Sequence, residues 1–236
     1  MTSPQSSVLS PQSSILSPPP IPVIAIDGPS ASGKGTVAAR VATALGFHYL
    51  DSGYLYRLTA LAARNAGVAW DDEAGVAAIA AGLPVVFEGE EILLAGKRVG
   101  DAIRTEEISV GASKVAALPA VRAALLQRQR DFREAPGLVA EGRDMASVVF
   151  PDAQVKVFLT ASVEARAERR YKQLIEKGLA ANMPDLLQDL HDRDARDSAR
   201  SVAPLQKCAD AELLDTTSLG IAESVAAILA WANKAL

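Results

Sequence analysis

"IAIDGPSASGKGTVAARVATALG", residues 24–46, is the stretch on which the fold turns. It continues a short buried strand over residues 22–27, in which Val23, Ile24 and Ile26 supply β-branched apolar side chains. A loop follows, Gly28-Pro29-Ser30-Ala31-Ser32-Gly33-Lys34-Gly35-Thr36, and then a helical run that stops at Gly46. Glycines let the backbone curl until successive N–H groups point inward at phosphate oxygens, and a helix N-terminus adds positive potential. Lys34 can then reach the β- and γ-phosphates of a nucleotide as a point charge. The plainer reading is a strand–turn–helix with small residues at its turn. The flanking elements and the Gly-Lys-Gly-Thr ending favour a cradle for ATP phosphates over residues 28–36. The hydroxyl that usually follows the lysine is displaced by one position, from Gly35 to Thr36.

The whole chain agrees with an enzyme-sized globular domain. Its 236 residues are 49% hydrophobic and 22% charged, with a net charge of −4. Mild acidity argues against a nucleic-acid partner, which usually demands a basic stripe. No apolar run approaches the roughly 18 to 20 residues of a membrane span, so no membrane partner is expected. A single cysteine, Cys208, cannot form an internal disulfide, which suits a cytoplasmic protein, and a monomer is expected. Residues 1–20 differ in kind: "SPQSSVL SPQSSIL SPPP" repeats a Ser/Pro/Gln unit whose prolines would break a helix. A disordered tail is expected there, a docking segment being the alternative.

Candidates for an acceptor site lie downstream. The second strand, residues 47–51, runs into Asp51-Ser52-Gly53-Tyr54-Leu55-Tyr56-Arg57. Ligands bind outside the carboxyl ends of strands in an open parallel sheet, so Ser52 and Arg57 can meet one anion there. The alternative is that Asp51 or Ser52 merely caps a helix starting near Tyr54. A third strand, residues 137–141, leads into Gly142-Arg143-Asp144, and Glu141 stands where an acid often holds Mg²⁺ through water. Arg166, Arg169 and Arg170 fall on one side of a helix, and Arg193, Asp197 and Arg200 follow at i, i+4 and i+7, with Arg196 beside them. Such a pattern is either a solvated salt-bridged surface or an arginine lid over a transferring phosphoryl group. Neither His48 nor His191 sits in a motif for a general base. A phosphate monoester needs none, because its second pKa is near 6 and the dianion is already nucleophilic.

Taken together, Gly-Pro-Ser-x-x-Gly-Lys-Gly-Thr, Asp51-Ser-Gly-x-x-Tyr-Arg57, Glu141-Gly-Arg-Asp144, "VVFPDA" and "RDxRDxxRxxAPL" resemble the bacterial cytidylate kinases, in the same order over residues 22–236. The resemblance implies an α/β P-loop kinase fold with a five-stranded parallel sheet flanked by helices. The further strands expected are residues 154–159 and 212–215. A domain over residues 21–236 would carry an acceptor-binding insertion at about 53–135, a small antiparallel sheet at 85–99 and a helical lid at about 161–185. The implied activity is transfer of the γ-phosphoryl group of ATP to CMP or dCMP, with Mg²⁺ held by Thr36 and Glu141. Ser52, Arg57 and Arg143 would hold the CMP phosphate. Ser113, Arg122 and Asp144 would read cytosine, and Arg193, Asp197 and Arg200 would surround the sugar. Lys34, Arg143, Asp144, Arg166 and Arg170 would form the catalytic set. Two departures from the family pattern stand out: Ala146-Ser147 replaces a usual Gly-Thr, and Glu141 replaces a usual Asp. A nucleotide switch is the reading from another class, but the Asn-Lys pair at 233–234 is followed by Ala-Leu rather than a base-reading Asp.

Overall fold

Five segments pair side by side in a parallel sheet: β1 (Val23–Asp27), β2 (His48–Asp51), β6 (Leu138–Gly142), β7 (Val155–Thr160) and β8 (Glu212–Asp215). Their order is β2-β6-β1-β7-β8. Each lies within one residue of its expected bounds. This computed structural model describes residues 20–88, 91–176 and 178–236. The tail expected at residues 1–20 lies outside them, apart from Pro20.

Strand β1 is central and covered on both faces, so it reads as an unbroken apolar run. Ile24 and Ile26 face α1 (Lys34–Leu45) and α8 (Ile221–Ala235), in a core shared with Val37, Val41, Leu159 and Ile228. Val23 and Ala25 face the other way, onto Leu50, Leu138, Met145, Val149 and Phe150. Helix α1 ends at Gly46, whose φ of 66° lets its N–H return to the last carbonyls of the helix.

The chain between β2 and β6 builds a second core of its own. It comprises α2 (Ser52–Asn65), α3 (Glu73–Ala81), β3 (Val85–Glu88), β4 (Glu91–Leu94), β5 (Lys97–Arg98), α4 (Glu106–Val115) and α5 (Pro119–Arg130). Leu55, Leu58, Leu61, Ile103, Ile108, Val121 and Leu125 fill it. The three short strands form an antiparallel sheet as expected, and Ala95 and Gly96, both at positive φ, make the turn from β4 to β5. Trp70 locks α2 to α4: its Nε1 donates to Ala60 O at 3.0 Å, and its ring lies so close over Gly111 that a Cβ there would stand 2.5 Å away.

After β7 come α6 (Val163–Glu176) and α7 (Met183–Ser198), which pack on one another. The expected lid range covers α6 but only the first residues of α7, and Arg200 lies just beyond the end of α7. No single helix among the described residues is long and apolar enough to cross a membrane.

Candidate active site

Register in the sheet brings the decisive residues level. Asp27 of β1 pairs with Gly142 of β6, and Asp51 of β2 pairs with Glu141. The carboxyl ends of three neighbouring strands therefore open onto one cleft of about 330 Å³. Eight basic and six acidic side chains line it, on a chain whose net charge is negative, which suits an anionic ligand.

The phosphate loop leaves β1 at a point that admits only glycine, since a Cβ on Gly28 would lie 1.9 Å from the Leu159 carbonyl oxygen. Ser32 donates to Pro29 O at 3.0 Å, and Gly33, at φ 91°, turns the chain into α1. Lys34 is buried, 3.4 Å from Pro29 O and 3.5 Å from Glu141 Oε2. Burial and the neighbouring Arg143 push its pKa below the usual lysine range, against the pull of Glu141 and Asp51. Two arginines of α6 grip the loop from outside. Arg166 donates to Ser30 O at 3.2 Å and pairs with Asp194, while Arg169 donates to Ser32 O at 2.9 Å and to Thr216. The carbonyls of Ser30 and Ser32 are thereby satisfied from outside the loop. Arg170 lines the cleft and reaches Glu106 at 2.6 Å, whereas Arg166 does not line it.

Cations crowd the far side. Arg57 donates to Ile103 O at 2.9 Å and to Ser109 Oγ at 3.2 Å, and Arg193 donates to the same hydroxyl at 3.1 Å. Burial and Arg143 press the Arg193 guanidinium down to about 10. Arg143 donates to Asp197 Oδ2 at 2.8 Å, and Arg200 pairs with the other oxygen of Asp197. Burial opposes charge on Asp197, but Arg143, Arg200 and Arg193 outweigh it and hold its carboxyl below the ordinary range. At the end of the cleft, Arg122 pairs with Asp144, donates to Ala116 O at 3.0 Å and stands 5.7 Å from the Tyr56 ring centroid. Ser113 Oγ, Arg193 Nε and Arg200 Nε are buried without a partner among the described residues. A ligand with matching polar groups would complete them.

Most expected site residues thus share one cleft, but Gly28, Pro29, Ser32, Gly33, Gly35, Thr36 and Arg166 lie outside its lining. Thr36 is exposed at the start of α1. It is Gly35 that faces the acid: a Cβ there would come 3.1 Å from Glu141 Oε1. The longer side chain at 141 uses the space left free at 35. Asp51 caps α2 by accepting from Gly53 N at 2.8 Å, so the capping reading holds for it, and the helix begins at Ser52 rather than near Tyr54. Burial, then the Glu141 charge, raises the Asp51 carboxyl to about 7. Two level carboxylates that repel one another fit a hard cation bound by oxygen and water.

Four contributors escaped the sequence reading. Ser109 lies one helical turn before Ser113 on α4, a spacing that could have shown it. Glu106 carries no local signal of its own, and Tyr56 stood in the motif of residues 51–57 without a role assigned to it. Asp27 does, as a charge ending an otherwise apolar strand: it is 3% exposed and accepts from the N–H groups of Met145 and Ala146, both at 2.8 Å. Ala146 is not among the described residues at positive φ, so losing a glycine there strains nothing.

Comparison with known proteins places the chain. A sequence model described as cytidylate kinase matches residues 24–234. The cytidylate kinase of Chromobacterium violaceum is 65% identical over 211 residues, covering 89% of this chain and 95% of that protein. That of Bordetella pertussis is 60% identical over 208 residues, covering 88% and 93%. That of Polynucleobacter asymbioticus is 56% identical over 216 residues, covering 92% and 98%.

Proposed function

The chain belongs to the cytidylate kinase family, and from that premise we propose that it moves the γ-phosphoryl group of ATP onto CMP or dCMP, giving ADP and CDP or dCDP. We also propose that it does so as a cytoplasmic monomer. One observation supports this above the rest. A single cleft is lined by Lys34, by the Arg122–Asp144 pair and by Arg57, Arg143 and Arg193.

The roles follow from position. Amides of residues 28–36 and the Lys34 ammonium would hold the β- and γ-phosphates of ATP. Ser52, Arg57 and Arg143 would hold the acceptor phosphate, with Arg193 and Arg200 at the sugar beside Asp197. Asp144 would accept from the exocyclic amine of cytosine, with Ser113 and Arg122 completing the base pocket. An ionised carboxylate only accepts, so it favours the amine over the carbonyl oxygen of uracil. Mg²⁺, held through water by Glu141 and Thr36 with Asp51 close by, would neutralise charge on the transferred group. Lys34 and Arg170 would add to that neutralisation from this chain, while Arg166 acts by bracing the loop. No protein base is required, because the acceptor is a phosphate dianion at pH 7.

The test is formation of the nucleoside diphosphate from ATP with CMP, dCMP, UMP and AMP at equal concentration. CMP and dCMP should lead. A phosphorylated alcohol outpacing all four, or turnover of ATP without any acceptor, would overturn the proposal.

A further inference from the structure

Asp27 does not itself line the cleft, yet it is one of the most deeply buried charges among the described residues. Burying a carboxylate without a cation is costly, so its partners need an account. Those partners are two backbone amides, Met145 N and Ala146 N, more than a hundred residues away in sequence. They are the first N–H groups after Asp144. The Asp144 carbonyl accepts in turn from Val148 N at 2.9 Å and Val149 N at 3.2 Å, closing the helical turn Met145–Val149. Asp27 therefore caps that turn from another strand, doing from a distance what a capping side chain ordinarily does from the preceding residue.

We propose that Asp27 is a positioning residue for base selection, setting the direction of the Asp144 side chain through the two peptides that follow it. This rests on the reading that Asp144 meets the cytosine amine. Three observations converge. The anchor is rigid, because Asp27 ends the central strand and Gly28 behind it is pressed on Leu159 O. The anchored backbone is the one that sets Asp144, whose φ of −148° and ψ of 23° lie outside the helix it precedes. What Asp27 requires at position 146 is an N–H alone, which explains why alanine serves where the family usually has glycine. Recognition groups lose discrimination when their support loosens by a fraction of an ångström. One side chain thus ties the base reader to the strand that feeds the phosphate loop.

The test is Asp27→Asn, with Asp144→Asn in parallel. Burial favours a neutral group at position 27, so the fold should persist; assayed at pH 8, where the parent carboxylate presents two acceptor oxygens, the variant's amide NH₂ must face one of the two N–H donors and break that bond. Asp27→Ser, which keeps one hydroxyl acceptor, is the second variant should the first fold poorly. KM for CMP should rise about tenfold and the CMP-over-UMP preference in kcat/KM should fall about five- to tenfold, with KM for ATP within about twofold of the parent. Amide exchange at Met145 and Ala146 should accelerate by at least about tenfold while Leu138–Gly142 stays protected. Equal losses with CMP, UMP and ATP, or unchanged exchange at 145 and 146, overturn the positioning role. If Asp144→Asn collapses the preference and neither change at 27 does, positioning alone has failed. If Asp144→Asn leaves the preference intact, the base-reading has failed and takes the positioning role with it.

Discussion

Lys34 and Asp144 line one cleft, and their removal should be felt differently. Lys34 is 8% exposed, and in the proposed reaction its charge would serve oxygens that gain negative character as the phosphoryl group moves. Lys34→Ala should keep the fold and lower kcat by about 10²- to 10³-fold, the loss typical of one preorganised transition-state donor. It should slow CMP and UMP alike, which steady-state kinetics with both acceptors will check. Asp144→Asn should act on the choice between them. A charge-assisted hydrogen bond contributes roughly 1.5 to 3 kcal/mol, so the CMP-over-UMP preference should shrink by about 10- to 100-fold, mainly through CMP. If both acceptors slow by one common factor, Asp144 does not read the base and serves instead to place Arg143 or the metal.

Among the elements, the contact of α2 with α4 is close enough for one added methyl group to disturb it. The Trp70 ring fills the space over Gly111, so Gly111→Ala must displace a side chain that is also hydrogen-bonded to Ala60 O. Overpacking of this kind costs about 1–3 kcal/mol. Urea unfolding should show that loss, and KM for CMP should rise with it, because α4 carries Ser109 and Ser113 into the cleft. Elements such as β1 and β6 were legible in the sequence because a strand buried on both faces has to be an apolar run, and its ends are marked by the glycine and charge that follow. The phosphate loop was legible for a related reason, since a backbone cradle is built from neighbours in sequence. Asp27, Glu106 and the shared use of Ser109 by Arg57 and Arg193 were not. The spacing of Ser109 from Ser113 and the charge that ends β1 mark two of these residues, but their partners lie in elements 50 to 120 residues away, where local pattern does not reach. The arginines of α6 show the boundary well. Their common face was readable, but the division of labour, with Arg166 and Arg169 on the loop carbonyls and Arg170 on Glu106, depends on where the loop and α4 lie.

At the scale of the whole molecule, the buried acids make stability depend on pH. Burial raises the Asp27 carboxyl from 3.8 to about 7, against the two amides that favour its charge. Between those values the folded chain holds a proton that the unfolded chain releases. This stabilising contribution is complete below about pH 3.8 and is lost as pH climbs to about 7, a span worth roughly 4 kcal/mol. Asp27→Asn, neutral throughout, should therefore gain on the parent protein between pH 4.5 and 7.5 in urea midpoints, and parallel curves would contradict the raised value. The pair between Arg170 of α6 and Glu106 of α4 bears on function at the same scale. Both side chains line the cleft, so their pair ties α6 to α4 beside it. Because both side chains meet solvent, the bond contributes only about 0–1 kcal/mol and dissolved ions weaken it. A tie of this kind loosens as its surroundings grow saltier. Where product departure limits the cycle, raising ionic strength should quicken turnover by up to a few-fold before it erodes substrate capture, and Glu106→Gln should turn over at the faster pace from the outset.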